Sequence, residues 1–214
     1  MNRIYLLCLL TGLIVSCYPE PDLSGLDDEL LVVTNFNPQA DFTNYATFAI
    51  PDSIGIITDN EDDEEFVDDA RAATVLSSVR TNMLAAGFTE VDKENDPDLG
   101  INVIVLENLN VGGAFYPGYW WGYPGYWDPC YWGYCGGWFP WYGWGTVYTY
   151  NTGTLVIEFV DLKNANDGNQ RLDILWTAWM GEVYSARNPV QEAVTAVDQA
   201  FAQSPYLFSS NVQP

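Results

Sequence analysis

The side chains that could do chemistry in this sequence are carboxylates, two lysines, a close pair of cysteines and a dense group of aromatic rings, because its 214 residues include no histidine. The absence of histidine removes Ser-His-Asp and Cys-His catalysis and the commonest zinc ligand. Glu107, Glu158 and Glu182 fall in strand-like segments and are the source of any acid/base pair for glycoside cleavage. Their spacing brings no two together, and an edge or solvent-facing strand position explains each more simply. Lys93 and Lys163 fall in polar turns, away from the apolar burial that turns a lysine into a base or nucleophile. The acidic run at 59–69, DNEDDEEFVDD, lacks the glycine and alternating ligands of an EF-hand loop. It reads as the start of a helix, where the macrodipole favours carboxylates. The expectation is a non-catalytic protein without metal or cofactor.

Cys130 and Cys135 have four residues between them, in a loop that also holds Gly133, Gly136 and Gly137. Two thiolates without histidine fall short of a four-ligand metal site, and redox pairs usually have two intervening residues at a helix start. A structural disulfide is the simplest account. Closing so short a loop stabilises by about 2 kcal/mol in the chain-entropy model, enough to shape the loop but not to hold a domain.

The aromatic rings are concentrated around that loop. Sixteen of the thirty residues from Phe115 to Trp144 are Phe, Trp or Tyr, and seven of the nine tryptophans of the chain lie there. Asp128 is the only charge between Glu107 and Glu158. Steps such as YPGYWWGYPGYW follow neither a helical nor a strand period, so the segment reads as an extended loop outside the core. Exposed aromatic surface marks binding sites, and Trp and Tyr suit membrane interfaces and stack on sugar rings. The candidate contact residues are Tyr119, Trp120, Trp121, Tyr123, Trp127, Trp132, Trp138, Trp141 and Trp144. Apolar gain and backbone entropy are of the same order for such a segment. Packing as a cap on the protein's own sheet therefore stands beside packing against a partner.

Acidic residues outnumber basic ones 29 to 7, for a net charge of −22, which excludes a nucleic-acid surface. At 48% hydrophobic the chain still has the apolar content for a core. Its first residues read as a secretory signal: Arg3, an apolar run from Ile4 to Val15, then Ser16, Cys17, Tyr18 and Pro19. That run is shorter than the roughly 20 residues of a membrane-spanning helix. An apolar residue, a small residue and Cys resemble the lipobox of bacterial lipoproteins, in which the cysteine thiol takes diacylglycerol and becomes the N-terminus. Cys8, preceded by bulky Leu7, lacks that context. Residues 1–16 are thus a lipoprotein signal peptide, and 17–29 an acidic, proline-containing tether starting at lipidated Cys17.

The elements that must position these groups follow from periodicity. Residues 30–36, 45–50, 88–91, 99–109, 153–161 and 172–184 read as strands, with 99–109 and 153–161 central. A helix over 65–86 carries the stripe Phe66, Ala70, Ala73, Leu76, Val79 and Met83, with Gly87 as its stop. A second, over 189–203, starts at Asn188-Pro189 and carries Val190, Ala193, Val194, Val197 and Phe201. The fold class is α+β: a mainly antiparallel sheet, two helices packed on one face, and a long aromatic, Gly-rich loop between central strands. A single domain spans 30–206 with the insert at 112–146, followed by a flexible tail at 207–214. Since no core stripe includes the insert, replacing 112–146 with a short turn is expected to leave a cooperative domain.

Asp41-Phe42-Thr43-Asn44-Tyr45-Ala46-Thr47-Phe48 resembles the D-F-x-x-Y-x-T-F signature of bacterial lipoproteins in domain-of-unknown-function family 4136. The resemblance continues through Asn95-Asp96-Pro97-Asp98-Leu99, Gly153-Thr154-Leu155-Val156-Ile157 to Asp161, Leu175-Trp176 and the last helix, over residues 30–204. It departs after that Trp, where the family often has Arg and this chain has Thr177. The resemblance implies an α+β envelope lipoprotein with no assigned activity. The functional expectation is a lipid-anchored envelope protein of the outer membrane, periplasmic or surface-facing. Its aromatic loop contacts an envelope protein, glycan or lipid interface. The alternative is a carbohydrate-binding or glycan-processing protein using stacked aromatics beside a carboxylate such as Asp128 or Glu107. The anchor has a direct test: Cys17→Ser should abolish palmitate labelling and processing of the chain in cells, and unchanged labelling would refute lipidation at Cys17.

Overall fold

Strands buried along their whole length need cover on two faces. In the computed structural model, which describes residues 31–58, 60, 65–107, 121, 127–143, 153–165 and 168–208, β5 (Leu99–Leu106) and β7 (Thr154–Asp161) are buried at all eight positions each. The signal segment, Cys17 and the tether lie outside the described residues, as do Tyr119, Trp120, Tyr123 and Trp144.

The remaining strands are β1 (Val32–Phe36), β2 (Thr47–Ala49), β3 (Gly55–Ile57), β4 (Thr89–Glu90), β6 (Phe139–Tyr142) and β8 (Arg171–Met180). All eight form one sheet of order β1-β8-β7-β5-β2-β4, with β3 also against β5 and β6 also against β8. The pairings β1–β8, β8–β7 and β7–β5 are antiparallel, whereas β2–β4, β2–β5, β3–β5 and β6–β8 are parallel. The sheet is therefore mixed, antiparallel through its middle and parallel where short strands join its flanks. Two of those short strands, β3 and β6, are not apparent from periodicity, since three or four residues are too few to show one. The strands that bracket the insert pair directly, and Gly153 N–H donates to Leu106 O at 2.8 Å.

Both helices lie on one face. Helix α1 (Asp69–Ala85) buries Ala72, Val75, Leu76, Val79 and Met83. Ala70 and Ala73 of the expected stripe face solvent, and Phe66 precedes the helix in a bridge to Gly55. The helix starts later than expected, with Asp68 accepting from Arg71 N–H at 3.1 Å as N-cap. At the other end Phe88 N–H bonds Met83 O and Gly87 N–H bonds Leu84 O, the paired bonds of a Schellman stop with Gly87 at φ +99°. Helix α2 (Pro189–Ala202) buries Ala193, Ala196, Val197, Ala200 and Phe201; Val190 and Val194 are half-buried. Asn188 holds the N-cap position without a side-chain capping bond. Between the helices and the sheet, Trp176 stacks near Phe159 and Phe201 at 4.6 and 5.5 Å, and its indole N–H donates to buried Ser204 at 3.1 Å. The packed chain also passes residue 206, because Leu207 is buried in this core and Phe208 packs on it.

The D-F-x-x-Y-x-T-F residues knit strand ends together. Asp41 caps the short turn Phe42–Asn44, and Phe42 and Phe48 are buried. Tyr45 O–H donates to Asp161 at 2.7 Å, and burial followed by that bond raises the phenol pKa. Asp98 N–H donates to Thr47 Oγ1 at 2.9 Å, and the Asp98 carboxylate accepts from Ala46 N–H at 2.7 Å and faces Lys163 at 3.2 Å. Burial works to raise the Asp98 pKa, but the backbone donors and Lys163 together hold it below the usual carboxylate value.

The second sheet face is covered by the insert, against the expectation that it lies outside the core. Ile57, Ile104, Leu106, Val156 and Trp179 pack under Trp121 and Trp127. Ala49, Val160, Leu162, Leu172 and Ile174 pack with Trp132, Tyr131, Tyr134, Trp138 and Tyr142. A register shift opposite Phe159/Val160 leaves Leu175 as the extra residue of β8 and switches its parity: before it Leu172 and Ile174 face the insert, and after it Trp176, Ala178 and Met180 face the helices. Replacing 112–146 with a short turn should therefore strip one face of the sheet. The expected outcome is a dye-binding, non-cooperative species in thermal unfolding; an unchanged sharp transition would show that the helical layer suffices.

Candidate functional site

The insert reaches the sheet through Trp132, which ends the short turn Pro129–Trp132. Its ring lies over Gly100 of β5, where an added Cβ would stand 2.9 Å from the indole. Glycine in a central strand is otherwise a weak choice, and here it marks that close approach. The indole N–H donates to Asn102 Oδ1 at 3.1 Å, Asn102 Nδ2 lies 3.4 Å from Glu158 Oε2, and Tyr142 O–H donates to Glu158 Oε1 at 2.5 Å. Asn102 and Glu158 are register partners with no exposed surface. Glu158 is thus neither an edge nor a solvent-facing residue. A carboxylate in such a place is tolerated only because donors meet it, so this chain of bonds fixes how the insert seats on the sheet. Thr177, the position of the departure from the family pattern, is the β8 partner of Glu158.

The other glutamates are far from it. Glu107 lies one residue past the end of β5 and Glu182 two residues past the end of β8, whereas Glu158 sits in the middle of β7.

The disulfide and two cations brace the layer from outside. The sulfurs of Cys130 and Cys135 are joined, with Cα atoms 4.2 Å apart, and Asp128 caps the turn by accepting from Cys130 N–H at 2.6 Å. Lys93 sits 4.2 Å over the Tyr131 ring and Arg171 sits 5.3 Å over Trp141, both within cation–π reach. Burial raises the Tyr131 phenol pKa. Arg171 also pairs with Asp173 at 2.7 Å, whose carboxyl pKa burial still lifts above the usual value against the pull of the guanidinium. Tyr134 O–H donates to Leu162 O at 2.8 Å, and Gln170 Nε2 donates to Gly136 O at 2.9 Å.

The sequence-predicted contact residues therefore divide. Trp132, at 8% exposure, is a core residue, and Trp121 and Trp127 pack half-buried on the sheet. Trp138 is half-buried and Trp141 is 47% exposed. On the outer side Trp121, Asp128, Tyr134, Trp138, Phe139 and Pro140 line an open concavity of about 340 Å³. Gly100, Asn102 and Tyr142 were not singled out in the sequence. Their signal was present nonetheless: a glycine and an asparagine on one parity of an otherwise apolar strand.

A two-faced sheet with helices on one side and a disulfide-braced aromatic layer on the other defines the class of domain. The family model described as Domain of unknown function (DUF4136) matches residues 32–206, and the chain belongs to that family. It is similar to a DUF4136 family protein from Bacteroides thetaiotaomicron, known from a crystal structure, at 34% identity and a TM-score of 0.68, covering 85% of this chain and 99% of the other. A PelC dodecamer from Paraburkholderia phytofirmans aligns at 13% identity and a TM-score of 0.39, over 85% of this chain and 100% of that one. No curated protein matches the chain.

The Trp132 seat has a quantitative test. Gly100→Ala should destabilise the domain by about 1–3 kcal/mol through overpacking. In a Trp132→Ala background the same substitution should cost far less, a non-additivity measured by denaturant unfolding of the four proteins. Additive effects would mean that the two residues do not meet.

Proposed function

We propose that this protein is a non-catalytic, lipid-anchored module of the cell envelope that contacts another envelope component through the outer surface of its aromatic layer. The lipid on Cys17 holds it at the outer membrane, and the acidic segment 17–29 gives the domain reach. The observation that carries this reading is the division of labour within the insert. Trp132, Trp121 and Trp127 serve the sheet, whereas Phe139 and Trp141 remain 42% and 47% exposed beside an open aromatic concavity. Large exposed rings on a braced scaffold serve recognition.

Photo-crosslinking in intact cells tests the reading. A photoreactive residue at Trp141 should give a discrete adduct in the envelope fraction. The same residue at exposed Gln191, on α2 and the opposite face, should give none. Absence of an adduct at Trp141, or equal adducts at both positions, would overturn the aromatic surface as the contact site.

A further inference from the structure

We infer that the concavity on the outer side of the aromatic layer binds a ring of a neutral saccharide, an inference that rests on reading this layer as the contact surface. Among the described residues its lining combines four aromatic side chains, Trp121, Tyr134, Trp138 and Phe139, with a single charged group, the carboxylate of Asp128. A pyranose presents the same two chemistries in complement: a C–H face that packs on an aromatic ring, and a rim of O–H donors. A carboxylate has about four acceptor sites. In Asp128 one oxygen is held by Cys130 N–H at 2.6 Å, which fixes the group while leaving acceptor capacity toward the concavity.

Charge narrows the guest further. Among the described residues neither Lys nor Arg lines the concavity, and the chain as a whole carries −22, so phosphate, sulfate and uronate groups are repelled. Size narrows it again. At about 340 Å³ the space is at the small end of ligand sites, which start at about 300 Å³. Tyr134 and Trp138 meet at 4.6 Å and 60°, making a corner that suits one ring. A proline-rich peptide, the other guest of aromatic clefts, needs about 9 Å of groove for each three-residue turn. The open side of the concavity leaves room for a sugar chain to continue into solvent.

The site is also built in advance. The Cys130–Cys135 bridge, the Tyr134–Leu162 and Gln170–Gly136 bonds and the packing of Trp138 on the sheet hold the rings before any guest arrives. Rigid aromatic side chains lose little entropy on binding, which is what weak, shallow sugar contacts require.

Calorimetric titration of the full chain with cellohexaose, chitohexaose and a linear mannohexaose tests the inference, with a proline-rich decapeptide as comparison. At least one saccharide should bind saturably and with little dependence on salt. Trp138→Ala should weaken that binding about tenfold or more, Trp138→Phe should recover most of it, and Asp128→Asn should weaken it about tenfold. Asp128→Asn retains an acceptor for the Cys130 cap, so this variant keeps the test valid should Trp138→Ala fold poorly. No saccharide binding up to about 10 mM, binding indifferent to all three substitutions, or binding of the peptide instead would overturn the inference. If no saccharide binds while the Trp141 adduct persists, the sugar assignment alone falls. If the adduct is also absent, the contact surface falls with it.

Discussion

The fold depends on one constraint: the central strands are apolar on both faces, and the helices can cover only one. Leu99, Ile101, Val103 and Val105 of β5 face the helical core, whereas Ile104 and Leu106 face the other way. Leaving that second face wet would expose a run of branched side chains along β5, β7 and β8. At roughly 25 cal/mol per Å² the penalty is large compared with the stability of a domain. The aromatic insert is what the chain supplies to meet it. Few rings cover much area, and a Gly-rich backbone lets them reach the sheet at any angle.

Such a cover would slide if apolar contact alone held it, because hydrophobic attraction has no direction. Direction comes from the polar row under the cap. Trp132 can sit only where Gly100 leaves space and Asn102 accepts its N–H, and Tyr142 can sit only where Glu158 accepts its O–H. An unmet carboxylate at this depth costs more than a well-made hydrogen bond returns, so misplaced covers are penalised strongly. The buried Glu158 is thus best understood as a register device. The same residue viewed in sequence, among apolar neighbours, gives no clue to its partner, which lies sixteen residues away on a strand too short to recognise.

That difference marks how far the sequence is legible. Long periodic segments were readable: both helices, β5, β7, β8 and the α+β class, with Gly87 as a helix stop whose geometry follows from its left-handed φ. The phase of α1 was not, because alanines at 70, 72 and 73 are equivalent to a hydrophobic count and only packing against α2 chooses among them. Ser78 and Asn82 both bond Asp198 across that contact, an interaction 116 or more residues distant in sequence. The insert was legible as anomalous composition, and the assignment of its rings was not. Aperiodic chain carries no parity, so nothing local tells Trp132, which is buried, from Trp141, which is exposed.

The signature that carries the family resemblance and the surface that carries the proposed function are physically separate. Asp41 caps its own turn, Tyr45 bonds Asp161, and Thr47 and Asp98 join the start of β2 to the start of β5, so these residues secure the scaffold and are not among those that line the concavity. The outward side of the insert has the opposite character. Phe139 N–H bonds Gln170 O, which turns the backbone nitrogen of Pro140 away from β8, to the side of β6 that has no paired strand among the described residues. A proline there has no hydrogen to offer an incoming strand, which weakens this side as a template for strand addition. The side chains available are Phe139, Trp141 and the ring-lined concavity beside them, on a sheet whose other face already has its helices.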